Sequence, residues 1–145
     1  MTDAGMPDGA AARVWAAMRA LVMETARHDE VCAALGMSFF RIKVLRRIAA
    51  EPTTGGLLAE RLGSDPPYVS VVVDDLVRRG LVVRAPDPAD RRRKVLSVTV
   101  AGAAAAVAAE AVLATPPPAL DALPAEQVAQ LDHILGGLAG LSTRF

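Results

Sequence analysis

Along most of the chain, apolar residues recur every three to four positions, and only between 81 and 100 does the spacing turn strand-like. Ala11, Val14, Trp15, Met18, Leu21 and Val22 lie on one face of a first helix predicted over 10–34, which Gly36 can end. Ser38 is a suitable N-cap for a second helix that carries Phe39, Phe40, Ile42, Val44, Leu45 and Ile48. Arg41, Lys43, Arg46 and Arg47 share that helix, and Glu51-Pro52 stops it. A short helix over 56–62 holds Leu57, Leu58 and Leu62 on its apolar side. The polar turn Gly63-Ser64-Asp65 follows. Asp65 can cap the next helix, predicted over 67–79, because Pro66 and Pro67 suit a first turn whose N–H groups have no intrahelical partner. Gly80 is its stop. A short helix, a turn with Gly and a longer helix make up the helix-turn-helix plan.

Two β-branched runs come next, Leu81-Val82-Val83-Arg84 and Val95 to Val100, separated by a polar stretch from Pro86 to Lys94. They predict a hairpin with a long basic tip, a wing. A fifth helix is expected from 103 to about 114, where Pro116-Pro117-Pro118 must break it. A last helix starts near Leu123-Pro124 and carries Val128, Leu131, Leu135, Leu138 and Leu141 on one side. Residues 1–9, with Gly, Asp and Pro, are expected to be a disordered tail. The fold class is therefore mainly α with a small β-hairpin wing.

Composition adds three constraints. Trp15, Phe39, Phe40, Tyr68 and Phe145 are the only aromatics, so Ala, Val and Leu must build most of the core, which favours an oligomer over a self-sufficient monomer. Net charge is zero, yet residues 41–100 hold 12 Arg and Lys against 7 Asp and Glu, while the rest hold 4 against 9. A basic centre between acidic ends fits a middle that meets phosphate. The lone Cys32 excludes an internal disulfide framework, and the acidic, Gly-rich start is unlike a secretory signal. With the Ala-rich run 101–114 too short for a bilayer, this points to a cytoplasmic protein without a membrane partner.

Leu58-Ala59-Glu60-Arg61-Leu62-Gly63 and the run from Val69 through Asp75-Leu76-Val77-Arg78-Arg79-Gly80-Leu81-Val82 look like the helix-turn-helix of one regulator family. The most specific stretch is Asp87-Pro88-Ala89-Asp90-Arg91-Arg92, then five residues, then Val98-Thr99-Val100-Ala101-Gly102. In these residues the chain resembles the MarR (multiple-antibiotic-resistance regulator) family, whose wing reads Asp-Pro-x-Asp-Arg-Arg followed by Leu-Thr-x-x-Gly. The resemblance extends over about 10–142. It implies a single domain in which 10–36 and 102–142 are N- and C-terminal dimerisation helices and 38–100 is a winged helix-turn-helix. It further implies a homodimeric repressor of transcription that binds a palindromic double-stranded operator and is released by a small aromatic or lipophilic effector. The triple proline departs from the family's long fifth helix, and alters the dimer arm.

The residues expected to meet DNA are Pro67, Tyr68, Ser70 and Val71 at the start of the recognition helix, Arg78 and Arg84 beside it, and Asp90, Arg91, Arg92, Arg93 and Lys94 in the wing. Arginine inserts well where a narrow minor groove concentrates negative potential. The resemblance implies that Asp90 aims Arg92 there. The recognition helix lacks the basic or amide residue common in the family. Tyr68 and Ser70 can hydrogen-bond, and Pro67 and Val71 can touch thymine methyls, but no arginine can read guanine. Arg41, Lys43, Arg46 and Arg47 divide between the DNA backbone and the acidic dimer region. Trp15, Met18, Met37, Phe39 and Phe40 are candidates to line an effector pocket, although such spacing equally suits plain core. Cys32 reads as a small apolar residue rather than a redox sensor. His28 and His133 are isolated from other ligand types, so neither metal nor cofactor is expected. No nucleophile elbow, zinc motif or paired acid and base occurs, and the Gly55-Gly56 doublet lacks a following Lys, which argues against an enzyme. The neutral charge and apolar recognition helix leave one rival: a protein-interaction module with the same fold that has lost sequence-specific DNA reading.

Overall fold

The computed structural model describes residues 9–23 and 26–142. The chain divides into two compact units, Met1–Ala114 and Thr115–Phe145.

In the first unit the predicted first helix is two helices, α1 (Gly9–Val22) and α2 (Ala26–Leu35). Their apolar residues have different destinations. In α2, Val31 is buried and Cys32 and Leu35 pack against the core, whereas α1 has no buried residue. Helix α3 (Phe39–Ala50) starts as the sequence suggests: Ser38 is its N-cap and its hydroxyl accepts the Arg41 N–H. Ile42, Val44, Leu45 and Ile48 are buried from this helix. Helices α2 and α3 both pack against α6 (Val100–Leu113), whose contact face is Gly102, Ala106 and Ala109. Residues this small let helix axes approach closely, which explains how a chain so poor in aromatics closes a core.

Thr54 caps α4 (Gly55–Leu62) through its hydroxyl. Gly63 then adopts a left-handed φ of 58°, which only a residue without a Cβ adopts at no cost. Its N–H satisfies the carbonyls of Ala59 and Glu60, and the chain turns into α5 (Pro66–Arg78). Asp65 occupies the N-cap of α5 with no side-chain cap bond, and the two prolines fill its first turn. Val69, Val72, Val73 and Leu76 recur at helical spacing and are buried, leaving the opposite side open.

Gly80, at φ 73°, ends this segment and starts the wing. Strands β2 (Val82–Pro86) and β3 (Lys94–Val98) pair antiparallel with Val82 opposite Val98 and Pro86 opposite Lys94. Pro86 is tolerated because β2 is an edge strand. The sheet has a third member that the sequence did not suggest, β1 (Thr53–Thr54), which pairs with β3 through Thr53 opposite Leu96. Two residues are too few to carry a strand periodicity.

Strand β3 hands over to α6 through Thr99. Its hydroxyl donates to the Gly80 carbonyl at 2.6 Å and accepts the Gly102 N–H at 3.0 Å, while its own N–H donates to the Leu81 carbonyl at 3.0 Å. A Cβ on Gly102 would lie 1.9 Å from that carbonyl oxygen, so only glycine fits there. The Val98-Thr99-Val100-Ala101-Gly102 motif is thus a clamp between the exit of α5 and the start of α6.

The second unit contains α7 (Pro118–Asp121) and α8 (Ala125–Ser142). Helix α6 ends at Leu113, with Ala114 as its C-cap, just before the triple proline. Val128, Leu131, Ile134, Leu135 and Leu138 of α8 are all exposed. Among the described residues no helix is long and apolar enough to cross a membrane.

Candidate nucleic-acid interface

Helix α5 is held from its buried side and from its acidic C-terminal half. Asp75 is the hub. Its Oδ2 accepts from Arg41 Nε of α3 at 2.7 Å and from Arg79 Nε at 2.9 Å, and Arg78 Nη2 lies 3.5 Å from Oδ1. Arg79 also donates to the carbonyl of Gly36, in the turn between α2 and α3. The hydrogen bond from Arg41, then that from Arg79, holds the Asp75 carboxyl below the usual aspartate range. The adjacent Asp74 pairs with Arg84 of β2. Two neighbouring aspartates therefore fix α5 against α3 and against the wing.

These pairs sort the candidate arginines. Arg78 and Arg84 each have an acidic partner on α5, so a phosphate must compete for them. On α3, Arg41 is committed to Asp75 and Arg46 to Glu110 of α6, whereas Lys43 and Arg47 are exposed. The sequence could suggest the Asp75–Arg79 pair from its four-residue spacing. The Arg41–Asp75 and Arg84–Asp74 pairs join separate elements and leave no local signal.

The start of α5 is open. Pro67 and Ser70 are exposed, as are Tyr68 (48%) and Val71 (55%). The Tyr68 ring stacks on Phe40 of α3 with centroids 5.0 Å apart, so its direction is fixed by the core side of the domain.

The wing tip is rigidified from within. The Asp87 carboxylate accepts the Ala89 N–H at 2.9 Å, and the Asp90 carboxylate accepts the Arg92 N–H at 3.0 Å. The Arg93 N–H donates to the Asp90 carbonyl, and the Asp87 N–H to the Arg93 carbonyl. The Asp90 contact with Arg92 is therefore to the backbone amide, an Asx turn that shapes the loop. Arg91, Arg92, Arg93 and Lys94 are all exposed, and among the described residues their side chains make no ion pair. A cleft of about 670 Å³ runs between the start of α4, α5 and the wing, with Ser70, Arg84, Arg93 and Lys94 on its walls. Ser70 of α5 and the unpaired Arg93 and Lys94 of the wing thus flank one concavity, an arrangement suited to a polyanion.

The five residues read as an effector pocket do not line that cleft. Trp15 is exposed on α1 and Met18 beside it is half-buried. Met37 is sealed in the core. Phe39 is half-buried and stacks on His28 with centroids 3.9 Å apart, and Phe40 is taken by Tyr68. Cys32 is half-buried against the core.

A family model described as MarR family matches residues 30–93, the stretch from α2 through the wing tip. No curated protein matches the sequence. Among solved structures, the reduced form of MarR from E. coli is similar at 24% identity and a TM-score of 0.67, covering 94% of this chain and 98% of its own. MarR from Listeria monocytogenes is similar at 19% identity and a TM-score of 0.70, covering 94% of each chain. The transcriptional repressor CouR, solved bound to a 23-mer DNA duplex, is similar at 26% identity and a TM-score of 0.65, covering 97% of this chain and 99% of its own. The winged helix-turn-helix segment thus matches the MarR family model, and nearly the whole chain shares the fold of solved MarR proteins.

Proposed function

We propose that the protein is a homodimeric, sequence-specific double-stranded DNA-binding repressor of transcription, relieved by a small-molecule effector. The observation that carries DNA binding is the run Arg91–Lys94 on a rigid wing, exposed and without acidic partners, beside the open start of α5. Cations left unpaired by their own protein gain most from phosphate, because each contact releases a condensed counterion. The likeness to CouR, solved with DNA, supports the same reading. In this reading 38–100 is the winged helix-turn-helix and 10–36 and 102–142 are dimerisation helices; of the expected tail 1–9, residues 1–8 lie outside the described residues and Gly9 begins α1. DNA as the partner also implies a cytoplasmic site of action.

Dimerisation is supported by the surface. Val14, Trp15, Val22 and Met23 in and beside α1, and Val128, Leu131, Ile134, Leu135 and Leu138 on α8, are exposed in the single chain. Helices with an apolar stripe need a partner, and a second copy supplies one. Two copies put two recognition helices on one duplex, which calls for a palindrome with half-sites about 10 bp apart or a multiple of that.

The effector is a small aromatic or lipophilic molecule that acts through Phe39 and Phe40, with Met18 and Trp15 as the further candidates. Phe40 stacks on Tyr68, so a ligand that moves Phe40 moves a recognition-helix side chain. To lower DNA affinity, it must bind better when Tyr68 is displaced. Met37 is buried and meets such a ligand only if the α2–α3 turn opens.

A footprint of the full-length protein on duplex from its own upstream region tests the proposal. Two protected half-sites about one helical turn apart support it. Equal, weak affinity for this duplex and a scrambled one, together with capture of a protein partner, would favour the interaction module instead.

A further inference from the structure

The open part of α5 has a chemistry that limits which bases it can read. Pro67, Tyr68, Ser70 and Val71 are exposed in its first two turns, and the next exposed residue is Asp74, held by Arg84. From Asp65 to Val77 there is no Arg, Lys, Asn, Gln or His. The first cation on the helix, Arg78, lies 11 residues beyond Pro67, roughly 16 Å along the axis at about 1.5 Å per residue. It is also engaged by Asp75 and by the Asp74 carbonyl. Arginine or lysine contacts to guanine and asparagine or glutamine contacts to adenine are the usual bidentate base contacts. This helix can make neither. What it offers is apolar surface from Val71 and Pro67, whose complement in the major groove is the thymine C5-methyl, and two hydroxyls that discriminate weakly between bases.

We propose that the operator half-site is A·T-rich and lacks a guanine anchor, with thymine methyls read by Val71 and Pro67 in the major groove. This rests on the DNA-binding reading above and specifies its ligand. Specificity is distributed over several weak apolar contacts. The Phe40 stack makes Tyr68 a fixed wall of the methyl-binding surface, which would otherwise be free to rotate out.

Full-length protein is used to select from a pool of randomised duplexes about 30 bp long, and the winner is then measured by fluorescence anisotropy. The expected consensus has A·T pairs in both half-sites. Replacing a contacted thymine by uracil removes only the methyl and lowers affinity about fourfold per contact, the equivalent of one buried methylene. Val71→Ala, at an exposed position that leaves the core intact, lowers affinity for the thymine duplex. It adds little on the uracil duplex, because the two changes remove the same contact. A consensus with obligatory guanines in the half-sites, or uracil duplexes that bind as tightly as the parent, would overturn the proposal while leaving DNA binding intact. Failure of every duplex to bind at low salt would instead bring down the DNA-binding reading and this proposal with it.

Discussion

Replacing Gly102 by Ala tests whether the wing motif is a structural clamp. In an unconstrained helix the change is favourable by about 1 kcal/mol, since glycine is the poorer helix former. Here the new Cβ would sit 1.9 Å from the Leu81 carbonyl oxygen, and contact becomes ordinary only at 3.4 Å. The obstacle is backbone, so α6 or the β2 entry must move by more than an ångström. That motion loosens the Thr99 N–H bond to Leu81 and the Thr99 hydroxyl bond to Gly80, each with a net worth of about 1 kcal/mol. Overpacking strain adds about 1–3 kcal/mol. After subtracting the helix gain, destabilisation of about 2–4 kcal/mol remains. Urea unfolding followed by circular dichroism, at one protein concentration because a dimer's stability depends on it, measures this directly. Gly56→Ala in α4 is the control: nothing lies within 4 Å of its added Cβ, so it should be neutral or slightly stabilising. If Gly102→Ala were as stable as wild type, α6 would not approach Leu81 this closely, and the motif would need another explanation.

Three further outcomes follow from the site. Asp75 has a lowered pKa, so its contribution is complete above its unfolded value near 3.8 and is lost as pH falls through the lower folded value. Urea midpoints measured from pH 6 to 3 should therefore fall at the acid end for wild type, and Asp75→Asn should be less stable at pH 6 with a shallower acid decline. Arg92→Ala should weaken DNA binding and, if Arg92 neutralises one phosphate, reduce the slope of log affinity against log salt by about 0.9, read by anisotropy across a salt series. In the proposed homodimer, Leu135→Glu on the exposed stripe of α8 should give monomer in sedimentation where the wild type sediments as a dimer, while helical content by circular dichroism is retained.

The sequence carried most of the first unit because its signals are local. Ser38 caps α3 as read, Gly63 and Gly80 turn the chain, and the apolar spacing of α5 marks which side is buried, whereas Asp65 holds the N-cap place of α5 without a side-chain bond. The wing showed itself through β-branched runs around a charged loop, although β2 runs two residues further than Arg84, because pairing with β3 continues past the apolar run. The break between α1 and α2 was not legible, since one helical periodicity runs through both, although only α2 packs on the core and α1 has no buried residue. Neither was β1, whose order comes from β3. At the site, the wing cations were readable as a charge run, but their freedom from ion pairs became visible only once Asp74 and Asp75 had taken Arg84, Arg41, Arg78 and Arg79. Charge counts along a sequence cannot say which cations are already spent on the protein itself. Likewise, Met37, Phe39 and Phe40 share an apolar pattern that does not distinguish core from pocket, and folding sends Met37 to the core and Phe40 to Tyr68.

The central claim is that the wing and the open start of α5 bind double-stranded DNA. The most direct measurement is fluorescence anisotropy of full-length protein with a labelled duplex from its own upstream region and a scrambled duplex, from low to physiological salt. The account predicts tighter binding to the first duplex, a steep fall with salt at about 0.9 log units per phosphate neutralised, and near-complete loss when Arg91, Arg92, Arg93 and Lys94 are all replaced by Ala. Absence of binding to any duplex at low salt, or affinity untouched by the fourfold wing variant, would contradict it.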